Sequence, residues 1–165
     1  MPVSFERLTE NWHLNGWSDD RLFQVAVGAE SGHIWLDDAN QPAPMASVAK
    51  EGEIKIPLLP LDTFRDRWRD ASIGFLKIDV EGYEEMVFRG AYALLRDDRP
   101  RLIMFESLED TLDEDIRQFL SGQSYVVFQL DEWGDPVVGR TSSQNLFAAS
   151  EELKDQIIGA EGSSA

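Results

Sequence analysis

Apolar and polar positions along this chain switch between two periods, and the sharpest pattern runs from Ile73 to Glu106. Two short apolar runs, residues 73–80 and 102–105, flank a stretch in which Met86, Val87, Gly90, Ala91, Leu94 and Leu95 recur at the three-to-four spacing of one helix face. Near-continuous apolar runs read as strands covered on both faces. The helical pattern ends in polar Asp97, Asp98 and Arg99, followed by Pro100, whose predecessor is disfavoured in the α region. Strand, helix and strand in this order predict a βαβ unit with a right-handed crossover. Asp79 and Glu81 close the first strand, and Glu106 closes the second. In open α/β sheets the ligand sits outside the carboxyl ends of the strands, so these acids mark where chemistry is expected.

The same reading extends in both directions. Residues 3–16 carry Phe5, Leu8 and Trp12 on one helical stripe, with Ser4 placed to cap it and Gly16 to end it. Residues 21–28, 33–36 and 53–59 read as strands; the last alternates Ile54, Ile56 and Leu58 against Lys55 and Pro57. Residues 37–52, rich in Ala and Pro, read as a mobile exposed loop, either a lid or a tolerated insertion. A short helix over 61–68 puts Leu61, Phe64 and Trp68 on one face, and a helix over 112–120 turns Ile116, Phe119 and Leu120 inward. Residues 125–130 and 145–149 are the last strands, with room for a short hairpin between them. A terminal helix over 151–158 and a disordered tail over 159–165 complete one domain spanning 1–158.

Composition narrows the function classes. The 165 residues are 42% hydrophobic and 28% charged, as in a globular domain, and a chain of this length buries roughly 70% of its unfolded surface. A formal net charge of −16 repels phosphate backbones and anionic lipid, which argues against nucleic-acid and membrane partners. There is no cysteine, hence no disulfide and no thiolate metal site, which fits a cytoplasmic location. His13 and His33 stand apart without ligand partners, so no metal site is expected.

The run FLKIDVEGYEEMVFRGA followed by RPRLIMFE closely resembles the FkbM family of S-adenosylmethionine-dependent methyltransferases. Lys77, Asp79, Glu81, Gly82, Tyr83, Glu84, Gly90, Ala91, Arg99, Pro100 and Glu106 carry the match. The resemblance implies a Rossmann-like α/β methyltransferase sheet, mostly parallel, with an antiparallel C-terminal strand pair. It also implies S-adenosylmethionine as cofactor and a hydroxyl of a sugar or other small molecule as acceptor. Compared with the class I fold, the first βαβ unit is missing, and with it the Gly-rich cofactor turn; no G-x-G-x-x-G occurs. Cofactor binding is therefore expected to be weak or absent. Met1 to Asn11 resembles the segment that follows the family's second strand, so an internal Met1 is also expected. Unpaired strand edges are expected to favour a homodimer or a fragile monomer.

Two readings remain for the acids. Asp79, Lys77, Glu81 and Glu106 are the catalytic candidates, with Asp79 orienting or deprotonating an acceptor hydroxyl and Lys77 or Glu81 tuning it. Alternatively, Asp79 and Glu81 cap the helix beginning near Gly82, and Lys77 forms a structural bridge to Asp79 or Glu106. Tyr83 and Glu84 read as packing and solvated positions. The competing functional class is a non-catalytic remnant that serves as an interaction or structural module.

Overall fold

The computed structural model describes residues 2–36, 48–49, 54–68, 72–80, 82–107, 114–139 and 143–157. Helix α1 (Pro2–Leu14) leads through a 3₁₀ turn, Asp19–Arg21, into strands β1 (Ala26–Val27), β2 (Gly32–Leu36), β3 (Val48–Ala49) and β4 (Ile54–Leu59). A 3₁₀ segment, Leu61–Arg67, precedes β5 (Phe75–Ile78), α2 (Glu84–Gly90), a π-type turn at Leu94–Asp98 and β6 (Leu102–Glu106). Then follow α3 (Glu114–Gly122), β7 (Tyr125–Leu130), β8 (Pro136–Val138), β9 (Asn145–Ser150) and α4 (Glu151–Ile157). No described helix is long and apolar enough to cross a membrane.

The strands make two mixed sheets, ordered β1-β4-β2-β3 and β5-β6-β9-β7-β8. The expectation of a mostly parallel sheet is corrected: among the described pairings only β1–β4 and β5–β6 are parallel. The cause is connection length, since a parallel pair needs a crossover of a dozen or more residues while short turns return the chain antiparallel. Thus β7 turns straight into β8, and β9 comes back between β6 and β7, antiparallel to both. The β7–β9 pair is the antiparallel C-terminal pair, and β5, β6 and β7 still point the same way.

Residues 21–28 do not form one long strand, nor do they pair with residues 73–80. Only Ala26 and Val27 join a ladder, opposite Leu58 and Leu59 of β4. One residue before that register stands Pro57, which has no N–H with which to extend the ladder. Residues 37–52 also depart from a uniform loop, because Val48–Ala49 pairs with β2; residues 37–47 and 50–53 lie outside the described residues, as does the tail at 159–165. The expectation that residues 73–80 are covered on both faces fails as well. β5 is an edge strand whose outer side has no partner among the described residues, and Phe75 on it is 53% exposed.

The core lies against one face of the second sheet. Ile78 of β5 and Ile103 and Phe105 of β6 pack against Val87, Phe88, Ala91, Leu94 and Leu95, with Ile116 and Leu120 of α3 beside them. Phe88 and Phe105 meet edge-to-face at 5.2 Å. The anticipated helix face is present, but Phe88 rather than Met86 completes it; Phe88 is fully buried and Met86 half-buried.

That helix is not continuous, because a side chain from elsewhere enters its hydrogen-bond ladder. The carboxylate of Asp62, in the Leu61–Arg67 segment, accepts from the N–H groups of Ala93 at 2.9 Å and Leu94 at 2.8 Å. A group inserted in this way breaks the regular ladder, and the following turn widens so that the Arg99 N–H reaches the Leu94 carbonyl. Arg99 then takes a left-handed conformation (φ 47°) before Pro100. Arg65 adds a two-pronged contact to Asp98, at 2.6 and 3.0 Å. The segment linking the two sheets is thus fastened to the helical crossover of the second.

Backbone contact completes the seam. A Cβ placed on Gly90 would lie 1.9 Å from the carbonyl oxygen of Gly28, at the end of β1, and 3.2 Å from Cα of Pro60, at the end of β4. Only a residue without a side chain lets the first sheet seat this closely on α2. On the far side of the core the buried Tyr125 hydroxyl donates to the Pro100 carbonyl at 2.8 Å.

Two outcomes follow for stability. On a free helix Gly→Ala stabilises by about 1 kcal/mol, but Gly90→Ala is expected to lose about 1–3 kcal/mol through overpacking, read as a lower urea midpoint. Burial pushes the Tyr125 phenol up to about 12, above the ordinary 10.0. A raised folded-state value means that its contribution is complete below pH 10 and is lost as pH rises toward 12. Tyr125→Phe should therefore cost about 1 kcal/mol at neutral pH and show a shallower loss of stability over that alkaline window.

Candidate functional site

The parallel β5–β6 ladder decides where the expected site residues point. Ile78 pairs with Phe105 and Lys77 with Met104, so one further step brings Asp79 beside Glu106. Neighbouring strands lie about 4.8 Å apart. Side chains alternate between faces with period two: Ile78, Ile103 and Phe105 fill the core, so Lys77, Asp79 and Glu106 share the opposite face. Three of the four candidates therefore gather at the carboxyl ends of the two strands. Glu81 lies outside the described residues.

Electrostatics bind the group together. The Lys77 ammonium donates to Asp79 Oδ2 at 2.6 Å. The hydrogen bond and charge of Asp79 raise the Lys77 pKa above its ordinary 10.5, opposed by desolvation and helped by the nearby charge of Glu106. Of the two bridges open to Lys77, the one to Asp79 is formed, and Glu106 acts on it through space. Lys77 and Asp79 remain about half exposed (50% and 44%), so the pair opens to solvent and can meet a solute.

Among the described residues the hydrogen bond of Asp79 goes to Lys77 rather than to the start of α2. That helix begins at Glu84 with no side-chain hydrogen bond at its N-cap, Tyr83. The N–H of Gly82, which sits at φ 89°, donates instead to Glu84 Oε1 at 3.2 Å. Glu84 is 4% exposed, so the expectation of a solvated position is corrected. The signal was present in the spacing: Glu84 lies three, four and seven residues before Val87, Phe88 and Ala91, on their stripe.

Neither Gly28 nor Gly90 offers a cradle for S-adenosylmethionine. Glycines near this end of the fold are already filled by protein: a Cβ on Gly28 would meet Leu58 at 2.9 Å and Tyr83 at 3.1 Å, and one on Gly90 would meet the Gly28 backbone. Among the described residues no group of three or more His, Asp or Glu could hold a metal ion.

Comparison with known proteins gives a family. Residues 7–127, well over half of the chain, match the family described as the methyltransferase FkbM domain. No curated protein matches. A solved structure, the methyltransferase FkbM from Methylobacillus flagellatus KT, aligns at a TM-score of 0.48 and 14% identity. The alignment covers 90% of this chain and 32% of that one, so the chain spans about a third of that protein's length.

The causes of the Lys77 shift can be ranked by mutation. Asp79→Asn should bring the Lys77 pKa down toward 10.5, and Glu106→Gln should bring it down by less. An NMR titration of the Lys77 side chain checks this. The Lys77 charge that holds the pair is lost as pH rises through the raised Lys77 value.

Proposed function

Because the chain belongs to the FkbM methyltransferase domain family, we propose that it handles the acceptor in methyl transfer to a hydroxyl of a sugar or other small molecule. The observation that carries this reading is the Lys77, Asp79 and Glu106 group on one face at the carboxyl ends of β5 and β6. In this reading the acceptor hydroxyl donates a hydrogen bond to Asp79. As its oxygen attacks, the proton moves onto the carboxylate, a general-base step that typically contributes about 10²–10⁴ in rate. Lys77 holds Asp79 in place through its 2.6 Å hydrogen bond, and Glu106 lies close enough to take a second hydroxyl of the same acceptor. S-Adenosylmethionine supplies the electrophilic methyl group in this family reading.

The second reading, a non-catalytic module that binds another chain, is favoured by one observation: β5 is an edge strand among the described residues and carries the exposed Phe75. Open apolar edges support pairing with a second copy.

Methyl transfer from S-adenosylmethionine labelled in its methyl group to a panel of sugars and small alcohols separates the two. The enzymatic reading expects labelled ether product and a fall of about 10²-fold or more in Asp79→Asn, with a smaller fall in Glu106→Gln. Unchanged turnover in Asp79→Asn would remove Asp79 from the reaction. A folded chain that transfers nothing supports the second reading. Calorimetry should find cofactor binding weaker than micromolar; a micromolar constant would mean that a seat exists among other residues.

A further inference from the structure

Away from the carboxylates, the chain brings two arginines and an aromatic cluster together from distant segments. Arg21 ends the Asp19–Arg21 turn, Phe23 leads into β1, and Arg67 and Trp68 close the Leu61–Arg67 segment; all four line a cavity of about 360 Å³. Arg21 also borders a neighbouring cavity of about 530 Å³ lined by Trp12 and Trp17. Both volumes are within the range of small-molecule sites. None of Lys77, Asp79 and Glu106 is among the described residues that line either cavity of this groove.

Its chemistry is that of an oxyanion seat. In a chain of net charge −16, neither Arg21 nor Arg67 pairs with a carboxylate among the described residues. Asp20 also lines the cavity and accepts a hydrogen bond from the Ser18 hydroxyl, so two guanidinium groups stand against one acid there. The Arg67 guanidinium lies 4.9 Å from the centre of the Phe23 ring, which orients it without neutralising it. By contrast Arg65, two residues earlier, is taken up by Asp97 and Asp98. The Trp68 indole N–H is buried and, among the described residues, has no acceptor. A buried donor left unmade in a folded protein asks for an acceptor that a ligand or water supplies. In the neighbouring cavity, which shares Arg21, Trp12 and Trp17 meet edge-to-face at 4.5 Å, and Trp17 is 54% exposed, so an aromatic surface adjoins that arginine.

We propose that this groove binds an anionic sugar. Its carboxylate or phosphate is held by Arg21 and Arg67, one of its oxygens accepts the Trp68 indole N–H, and its ring lies against the Trp12–Trp17 pair. A guanidinium fork suits such oxyanions, and an indole offers a broad apolar surface beside a polar edge. The proposal is independent of the methyl-transfer reading, because no residue of the Lys77, Asp79 and Glu106 group takes part.

The test is a titration of the ¹⁵N-labelled full chain with glucuronate, glucose 6-phosphate, glucose and inorganic phosphate, following the tryptophan indole resonances. The expected result is a saturable shift of the Trp68 resonance with the two anionic sugars, and binding about tenfold weaker or worse for glucose and for inorganic phosphate. Arg67→Gln should weaken binding about tenfold and Arg67→Lys by less, while Arg89→Gln, on α2, should leave it unchanged. A Trp68 resonance that does not move would overturn the proposal. So would an Arg67→Gln variant, shown to be folded by the same spectrum, that binds as tightly as the parent. Inorganic phosphate binding as well as glucose 6-phosphate would remove the role of the tryptophans.

Discussion

The rest of the fold depends on a contact between two stretches of backbone. At Gly90 the helix following β5 has no room for a methyl group, because the Gly28 carbonyl occupies that space. β1 and β4 end there together, at Gly28 and Pro60, so this point is where the first sheet rests on the second. Dispersion at such close range is short-reaching and is lost with small displacements. The polar fastenings from Asp62 and Arg65 to the widened turn at Leu94–Asp98 hold the approach in register. The interrupted helix is therefore a consequence of docking rather than a defect in the helix.

That seam also explains the position of the candidate site. Gly28 abuts Tyr83 on one side, and Tyr83 follows directly from the chain that leaves β5 through Asp79. Fixing β1 against α2 fixes the exit of β5, and the parallel ladder with β6 brings Glu106 alongside. The same alternation that buries Ile78 and Phe105 turns Lys77, Asp79 and Glu106 to the opposite face. The Lys77 cation is hydrogen-bonded to Asp79 and feels the charge of Glu106, in a position that solvent still reaches. A local pattern of period two thus decides both what is packed and what is presented.

Much of this was legible in the sequence, and what was not has identifiable causes. Strand β7 was predicted at its observed bounds, because YVVFQL is a β-branched and aromatic run set off by Gly122 on one side and Asp131 on the other. The acids at the ends of β5 and β6 were legible from their place after apolar runs, and the Lys77–Asp79 bridge was one of two alternatives. Glu84 and Phe88 were missed although the helical stripe contained them; a pair of adjacent glutamates reads as solvated unless the stripe is followed through it. The widened turn after Ala91 was not legible, since its cause, Asp62, lies about thirty residues away in a segment that reads as a separate helix. For the same reason the meeting of Arg21 with Arg67 and Trp68 has no local signature. The predominance of antiparallel pairing was obscured because periodicity reports burial and not strand direction.

If the seat of Gly90 on Gly28 carries the first sheet, the two sheets open together. Native-state hydrogen exchange measures this directly. The account predicts that the amides of β1 and β4, including the Gly28 N–H bonded to the Leu59 carbonyl at 3.2 Å, exchange with the same opening free energy as those of Ile103, Phe105 and Leu146 in the second sheet. Exchange of β1 and β4 through a separate, low-energy opening, with the second sheet still protected, would contradict it.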